Sequence, residues 1–248
     1  VKSDIVRRLA ALNREFYQTL AIPFAATRGR IQPGAKQLLE RVPFGAAVAD
    51  LGCGNGNAAE FLGARGFSGR YAGYDLSPGL LDIARSKEYP FPAEFRAADF
   101  LGKGWDRSIP GGSVDFILAF SVLHHLPGEA ARLAFLGVCR RMLSSGGRFF
   151  FSTWQFPRSE KLRGRTVPWS VIGLCDSDVE EGDYLLDWRH DGSGLRYVHV
   201  VQARERLDLA KRSGFIEIES FASDGKEGRL ADYAVWKPSP SSILPRQP

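Results

Sequence analysis

The chain has 248 residues, 44% hydrophobic and 25% charged, with a formal net charge of +5. That length and composition fit one larger globular domain with room for an insert, and exclude disordered, collagenous and disulfide-scaffold proteins. Residues 1–41 hold eight Lys/Arg against three Asp/Glu and carry the whole excess, so a basic N-terminal face is a candidate footprint for a polyanion.

Residues 4–20 read as a helix, with Ile5, Leu9, Leu12, Phe16 and Leu20 at helical spacing and Pro23 as its stop. A second short helix is predicted from Pro33 to just before Pro43. Residues 46–51 read as a buried strand, followed by a Gly-rich turn and a helix over 58–64. A strand over 70–74 leads to Asp75. Ser77 is a good N-cap for a helix over 78–86, with Pro78 at its first position. Strands are predicted over 93–98 and 114–120. A helix over 129–143, the Gly146–Gly147 turn and a strand over 148–153 follow. Such alternation means a parallel sheet with right-handed crossovers. Residues 154–198 break the rhythm and read as an insertion over the sheet's carboxyl edge. A helix over 202–213 and strands over 215–221 and 230–236 close the pattern. No helix separates those last two strands, so they are expected to pair antiparallel at the edge. The layout is an N-terminal helical segment (1–45), a domain (46–236) with its insertion (154–198), and a tail (237–248) expected to be disordered.

The cysteines, Cys53, Cys139 and Cys175, are far apart and make neither a disulfide framework nor a zinc pattern. No metal is expected, and a reducing cytoplasm fits. No run reaches the ~18 apolar residues of a membrane span, so no membrane partner is expected. No secretory signal is read at the start of the chain.

The strongest motif is Asp50-Leu51-Gly52-Cys53-Gly54-Asn55-Gly56, between a strand and a helix. Glycines there let the backbone turn tightly and approach a ligand closely. Asp75 ends the next strand, where a carboxylate can accept both hydroxyls of a ribose. Asp99 ends the third strand, placed for an adenine amino group, and Phe100 can cover the ring. On these residues the chain resembles the class I S-adenosylmethionine-dependent methyltransferases, over residues 46–236. The glycine motif, the ribose acid and the adenine-side acid match in order, and Phe120 to Leu126 matches the loop after the fourth strand. The resemblance implies a Rossmann-like α/β fold: seven strands, mostly parallel, a terminal antiparallel hairpin, and helices on both faces. It implies S-adenosyl-L-methionine as cofactor, bound by Asp50, Gly52, Gly54, Gly56, Asp75, Leu76, Asp99, Phe100 and Phe120. A nicotinamide dehydrogenase fits less well, because the third glycine of its fingerprint is misplaced. His124 and His125 are adjacent, and only one is expected to face the cofactor.

Methyl transfer asks the protein to align nucleophile and methyl group and to exclude water. A carboxylate acceptor needs no general base. The insert sets Arg158, Lys161, Arg163 and Arg165 among Trp154 and Trp188, the mixture a nucleic-acid groove uses. Ten acids over 151–212 keep it from being a basic patch overall. The order of Arg28, the His124-His125 loop, Trp154, Trp188, Arg196-Tyr197, His199 and Trp236 resembles the tRNA methyltransferases that esterify 5-carboxymethyluridine at the wobble position. That resemblance implies tRNA as partner, a carboxylate oxygen as acceptor, and Arg28, Arg196, Tyr197 and His199 near it. Arg28 or Arg196 would bind the carboxylate or a phosphate, and His199 would orient the acceptor. Eukaryotic members use a small activator subunit, which makes such a protein a candidate partner. The alternative is a small-molecule O- or N-methyltransferase with 154–198 as a lid and Trp154, Trp169 and Trp188 lining an apolar pocket.

Overall fold

The computed structural model describes residues 1–19, 30–188 and 194–240. Seven strands form one sheet: β1 (Ala47–Leu51), β2 (Arg70–Asp75), β3 (Ala93–Ala97), β4 (Val114–Phe120), β5 (Leu143–Trp154), β9 (Phe215–Ser223) and β10 (Ala231–Pro238). Their order is β3-β2-β1-β4-β5-β10-β9. The first five are parallel, and β10 runs antiparallel to both neighbours. The strand order reverses between β1 and β4, and a ligand crevice opens at the carboxyl ends of strands at such a switch point.

Consecutive side chains of a strand face opposite ways, so the sheet builds two cores. Leu51, Ile117, Phe149, Phe151 and Trp236 pack against α5 (Glu129–Met142) and α6 (Ala203–Arg212). Val48, Leu118, Phe150 and Val235 face α2 (Pro33–Leu39), α3 (Asn57–Ala64) and α4 (Pro78–Arg85). The terminal hairpin and the helices on both faces are as expected from the sequence.

One boundary moved. The helix before the fifth strand ends at Met142, and β5 already begins at Leu143 rather than after the Gly146–Gly147 turn. Val114 pairs with Leu143, and the register then shifts before Phe116 meets Arg148. Gly147 makes this bulge work, since a Cβ there would lie 3.1 Å from the Asp115 carbonyl oxygen.

The insertion has its own three-stranded sheet, β6 (Thr166–Val167), β7 (Asp183–Trp188) and β8 (Gly194–His199), in antiparallel pairs. Helix α1 (Ser3–Thr19) lies against it, burying Ile5 and Leu9 with Trp169, Leu174, Leu185 and Tyr197. Asn13 replaces a strand on the free edge of β8: its Oδ1 accepts the Tyr197 N–H at 2.8 Å and its Nδ2 donates to the Tyr197 carbonyl at 3.1 Å. Asn13→Ala strands the Tyr197 N–H and removes one of two donors to the Tyr197 carbonyl, and is expected to lower stability by about 1–2 kcal/mol. Urea unfolding reads this directly, and an unchanged midpoint would refute the role. Among the described residues no helix is long and apolar enough to cross a membrane. The tail beyond residue 240 lies outside the described residues.

Candidate cofactor and acceptor site

A cavity of about 570 Å³ opens at the switch point, within the ~300–1,000 Å³ of small-ligand sites. Its floor is the turn after β1. The Gly52 and Cys53 amides both donate to the Tyr74 carbonyl, at 2.7 and 3.0 Å. The Gly54 amide donates to Asp75 Oδ2 at 2.9 Å, and the Ser77 amide to Asp75 Oδ1 at 2.8 Å. Each Asp75 oxygen has taken one hydrogen and can accept another, as a ribose diol requires. Burial pushes the Asp75 carboxyl above its usual range. Asp50 is deeper, 3% exposed, and accepts a hydrogen bond from the Tyr71 hydroxyl. Burial raises its pKa to about 7, against the lowering effect of that bond and with help from the nearby Asp75 charge.

The three glycines divide their roles. Gly52, at φ +83°, has no room for a Cβ, which would run into the Val122 side chain. Gly54, at φ +54°, borders the cavity, and a Cβ there meets no protein atom within 4 Å. Gly56 is not in the cavity wall: at φ +80° it caps α3, and a Cβ would press on Tyr89 and on Ala84 of α4. The expectation that Gly56 touches the cofactor is corrected to a helix-packing role. Gly54→Ala is expected to fold with a penalty of about 1 kcal/mol for the left-handed backbone. Its methyl group then occupies cofactor space, so affinity for S-adenosylmethionine should fall at least about tenfold, or 1.4 kcal/mol. Calorimetric titration checks this, and wild-type affinity would remove the turn from the binding wall.

Leu76, Asp99, Phe100 and Phe120 also border the cavity. Helix α1 roofs this half. Arg14 makes an ion pair with Asp99, whose other oxygen accepts the Leu101 amide at 3.0 Å. Tyr17 donates its hydroxyl hydrogen to His125 Nε2 at 2.7 Å, while His125 Nδ1 donates to the Tyr197 carbonyl at 3.3 Å. Both His124 and His125 border the cavity, contrary to the expectation of divergence, because Leu123–His125 is a single tight turn that sets the rings 4.2 Å apart. His124 Nδ1 accepts the Trp154 amide at 3.2 Å. Ser121, at φ +62°, holds a strained backbone at the end of β4 in the same wall.

The insert also contributes to the cavity wall, through Leu162, Arg165, Trp188 and Arg196. Arg196 is 6% exposed, with its guanidinium 4.5 Å from the Trp154 ring centroid, 5.5 Å from Phe16 and 5.6 Å from Trp188. This stacking holds a buried cation against the cavity wall. Trp154 and Trp188 border the cavity as the alternative reading expected, whereas Trp169 is in the core between α1 and the insert. Asp224 is also in the wall, accepting the Gly34 amide at 3.1 Å and the Tyr233 hydroxyl at 2.7 Å. Sequence reading passed over Asp224 and the α1 residues, whose local patterns are those of a loop acid and an exposed helix face. Arg28 lies outside the described residues.

His199 is placed elsewhere. It is 2% exposed and not in the cavity wall; Nδ1 bonds Asp183 at 2.7 Å and Nε2 bonds Glu205 of α6 at 2.9 Å. Burial alone would lower its pKa, but the two carboxylate hydrogen bonds outweigh it and raise it. Tyr197, fully buried, donates to Asp183 at 2.6 Å. Arg132 completes the cluster with Glu180 at 2.6 Å and Glu205 at 3.1 Å. His199 thus ties the insert to the main sheet's helices, which replaces the expected role beside the acceptor. Glu180, Asp183 and His199 bring ligand-type atoms within 4.8 Å of one another, each already engaged in these bonds.

Residues 49–151 match the family model described as a methyltransferase domain. The chain is 29% identical over 185 residues to the tRNA (carboxymethyluridine(34)-5-O)-methyltransferase ALKBH8 of Mus musculus, covering 72% of this chain and 26% of the relative. The chain therefore spans about a quarter of that relative's length. It is 24% identical over 210 residues to the Schizosaccharomyces pombe protein of the same activity, 81% of this chain and 86% of the relative. Over 120 residues it is 40% identical to a trans-aconitate 2-methyltransferase of Methylobacterium nodulans, 48% of this chain and 42% of the relative. The fold matches an S-adenosylmethionine-dependent methyltransferase of Methanosarcina mazei with TM-score 0.66 at 17% identity, over 86% of this chain and 100% of that one. It also matches a methyltransferase solved in complex with the Trm112 activator of Haloferax volcanii, TM-score 0.65 at 17% identity, over 93% and 99%.

Proposed function

The chain carries a class I S-adenosylmethionine-dependent methyltransferase domain, and from that premise we propose that it esterifies a carboxylate, the carboxymethyl group of a tRNA wobble uridine. The observation that carries this reading is Arg196, a buried and stacked cation in the same cavity as the Asp50–Asp75 wall. When bound, the cofactor supplies a methyl group on a positive sulfur; the acceptor oxygen forms the new O–C bond as the C–S bond breaks, leaving a methyl ester and a neutral thioether. The residues fit that group: Gly54 leaves open space, Asp75 has acceptor capacity for the ribose, and the acidic wall suits a cationic ligand.

Arg196 pairs with the acceptor carboxylate and fixes it, which supplies orientation rather than proton transfer. No base is required, which suits His124 and His125: each has a ring nitrogen spent on a backbone group. Helix α1 covers the cofactor half and helps exclude water.

Two relatives act on a carboxymethyluridine and one on a small acid, so both readings share a carboxylate acceptor. The tRNA reading is favoured because the Schizosaccharomyces pombe relative aligns over most of both chains. A small activator protein is a candidate partner by likeness to the Trm112 complex. The three free cysteines fit a cytoplasmic enzyme.

The test is methyl transfer from labelled cofactor to bulk tRNA, beside a small-metabolite extract, with Asp75→Ala as control. Label in tRNA that alkali releases supports the ester. Two charge-assisted hydrogen bonds at ~1.5–3 kcal/mol each make Asp75→Ala lose at least about 100-fold in cofactor affinity. Labelled metabolites with silent tRNA would move the assignment to a small acid.

A further inference from the structure

Two cations at the cavity have no part in the reaction just described. Arg30, just ahead of α2, and Arg165, which leads into β6, both border it. Neither side chain has a hydrogen-bond or ion-pair partner among the described residues. Nearby arginines differ: Arg14 is held by Asp99, Arg158 by both oxygens of Asp232, Arg163 by the Pro157 carbonyl and Arg41 by Glu219. The Arg165 carbonyl accepts the Asp187 amide at 2.9 Å, so its side chain springs from an anchored backbone. Asp224 is also in the wall, and its two oxygens already serve Gly34 and Tyr233. One acceptor carboxylate needs one cation, and Arg196 is already stacked in place for it. Two guanidinium groups with no hydrogen-bond or ion-pair partner among the described residues remain on the same concave surface, where each can receive an anionic group of a ligand.

We propose that Arg30 and Arg165 form a second anion subsite, which takes the phosphodiester flanking the nucleotide that carries the acceptor carboxylate. This rests on the carboxylate-acceptor reading above. Arginine presents a planar fork that matches phosphate oxygens. A flanking phosphate is what a polynucleotide has and a free nucleoside or a simple carboxylic acid lacks. The subsite therefore selects a nucleotide within a chain, while Arg196 selects the carboxylate.

The experiment compares the wild-type chain with Arg30→Ala, Arg165→Ala and the double variant. Acceptors are tRNA bearing carboxymethyluridine, the corresponding 3′,5′-bisphosphate and the free nucleoside. The wild-type protein should prefer phosphate-bearing acceptors in kcat/KM, and that preference should shrink at least about 30-fold in the double variant. The slope of log affinity for tRNA against log salt should fall by about 0.7 for each arginine removed. An undiminished preference, or a salt slope equal to wild type, overturns the subsite. If the wild-type protein methylates no RNA or nucleotide, the function reading fails and the subsite is judged by itself. Inorganic pyrophosphate is then titrated against the intrinsic tryptophan fluorescence, to which Trp154 and Trp188 of the cavity wall contribute. A saturable change that the double variant loses supports the subsite; the same response in both proteins, or none in either, overturns it.

Discussion

Asp50→Asn is expected to stabilise the cofactor-free protein while weakening cofactor binding. A carboxyl that ionises at 3.8 when unfolded and at about 7 when folded keeps its proton in the native state across that interval. Stability attributable to it is fully present below pH 3.8, falls as pH rises, and is lowest above pH 7. At 1.36 kcal/mol per pH unit the loss amounts to about 4 kcal/mol, chiefly the cost of burying the charge. Asparagine carries no charge and keeps an oxygen for the Tyr71 hydroxyl. The variant should therefore melt well above wild type at pH 8 and with it at pH 3.5, if both are folded there. Bound S-adenosylmethionine is cationic and favours the ionised carboxylate. Wild-type affinity should thus drop as pH falls below 7, by at most about tenfold per unit, and the Asn variant should show weak, pH-flat binding. Equal melting temperatures at pH 8 would mean that Asp50 is not a strained acid.

Removing Arg132 is expected to give the largest loss of stability. The residue is 2% exposed, on α5, and bridges Glu180 of the insert and Glu205 of α6 while donating to the Leu126 carbonyl at 3.2 Å. Glu180 also accepts the first amide of α5, Glu129 N–H, at 2.9 Å. Arg132→Met takes the shared cation from Glu180 and Glu205, leaving the Glu129 amide on Glu180 and His199 on Glu205. Breaking a buried pair costs about 3–5 kcal/mol; with both acids about a quarter exposed, the lower end, about 3 kcal/mol, applies. Urea unfolding measures it, and a change under about 1 kcal/mol would show the cluster to be solvated rather than structural. His199 adds a pH dependence. Its raised pKa means that its contribution is complete below pH 6.5 and is lost as pH climbs through the folded value. Arg132 charge holds that pKa down, so the His199 titration followed by NMR should move upward in Arg132→Met.

The cofactor half of the site was legible because its chemistry is local. A strand, a glycine turn and an acid at the end of the next strand are all written in short runs, and parallel crossovers then place Asp50, Gly54, Asp75 and Asp99 at one edge. Gly56 was misread because a turn glycine and a helix-packing glycine look alike until Ala84 and Tyr89 are seen beside it. His199 was misread for a similar reason. A histidine near the acceptor and one locked between two carboxylates have the same letter and the same neighbours in sequence.

Residue order alone settled the sheet, its terminal hairpin and the glycine turn after the first strand, since these follow from hydrophobic alternation and backbone conformations within a few residues. The destination of α1 was beyond it. Asn13 meets Tyr197 across 184 positions, and Arg14 meets Asp99 across 85. Such contacts depend on which surfaces the chain brings together after the sheet forms. Packing therefore decided that the N-terminal helix borders the cavity, that the insert is bound through a buried charge cluster, and that Arg196 is a stacked cation in the cavity wall.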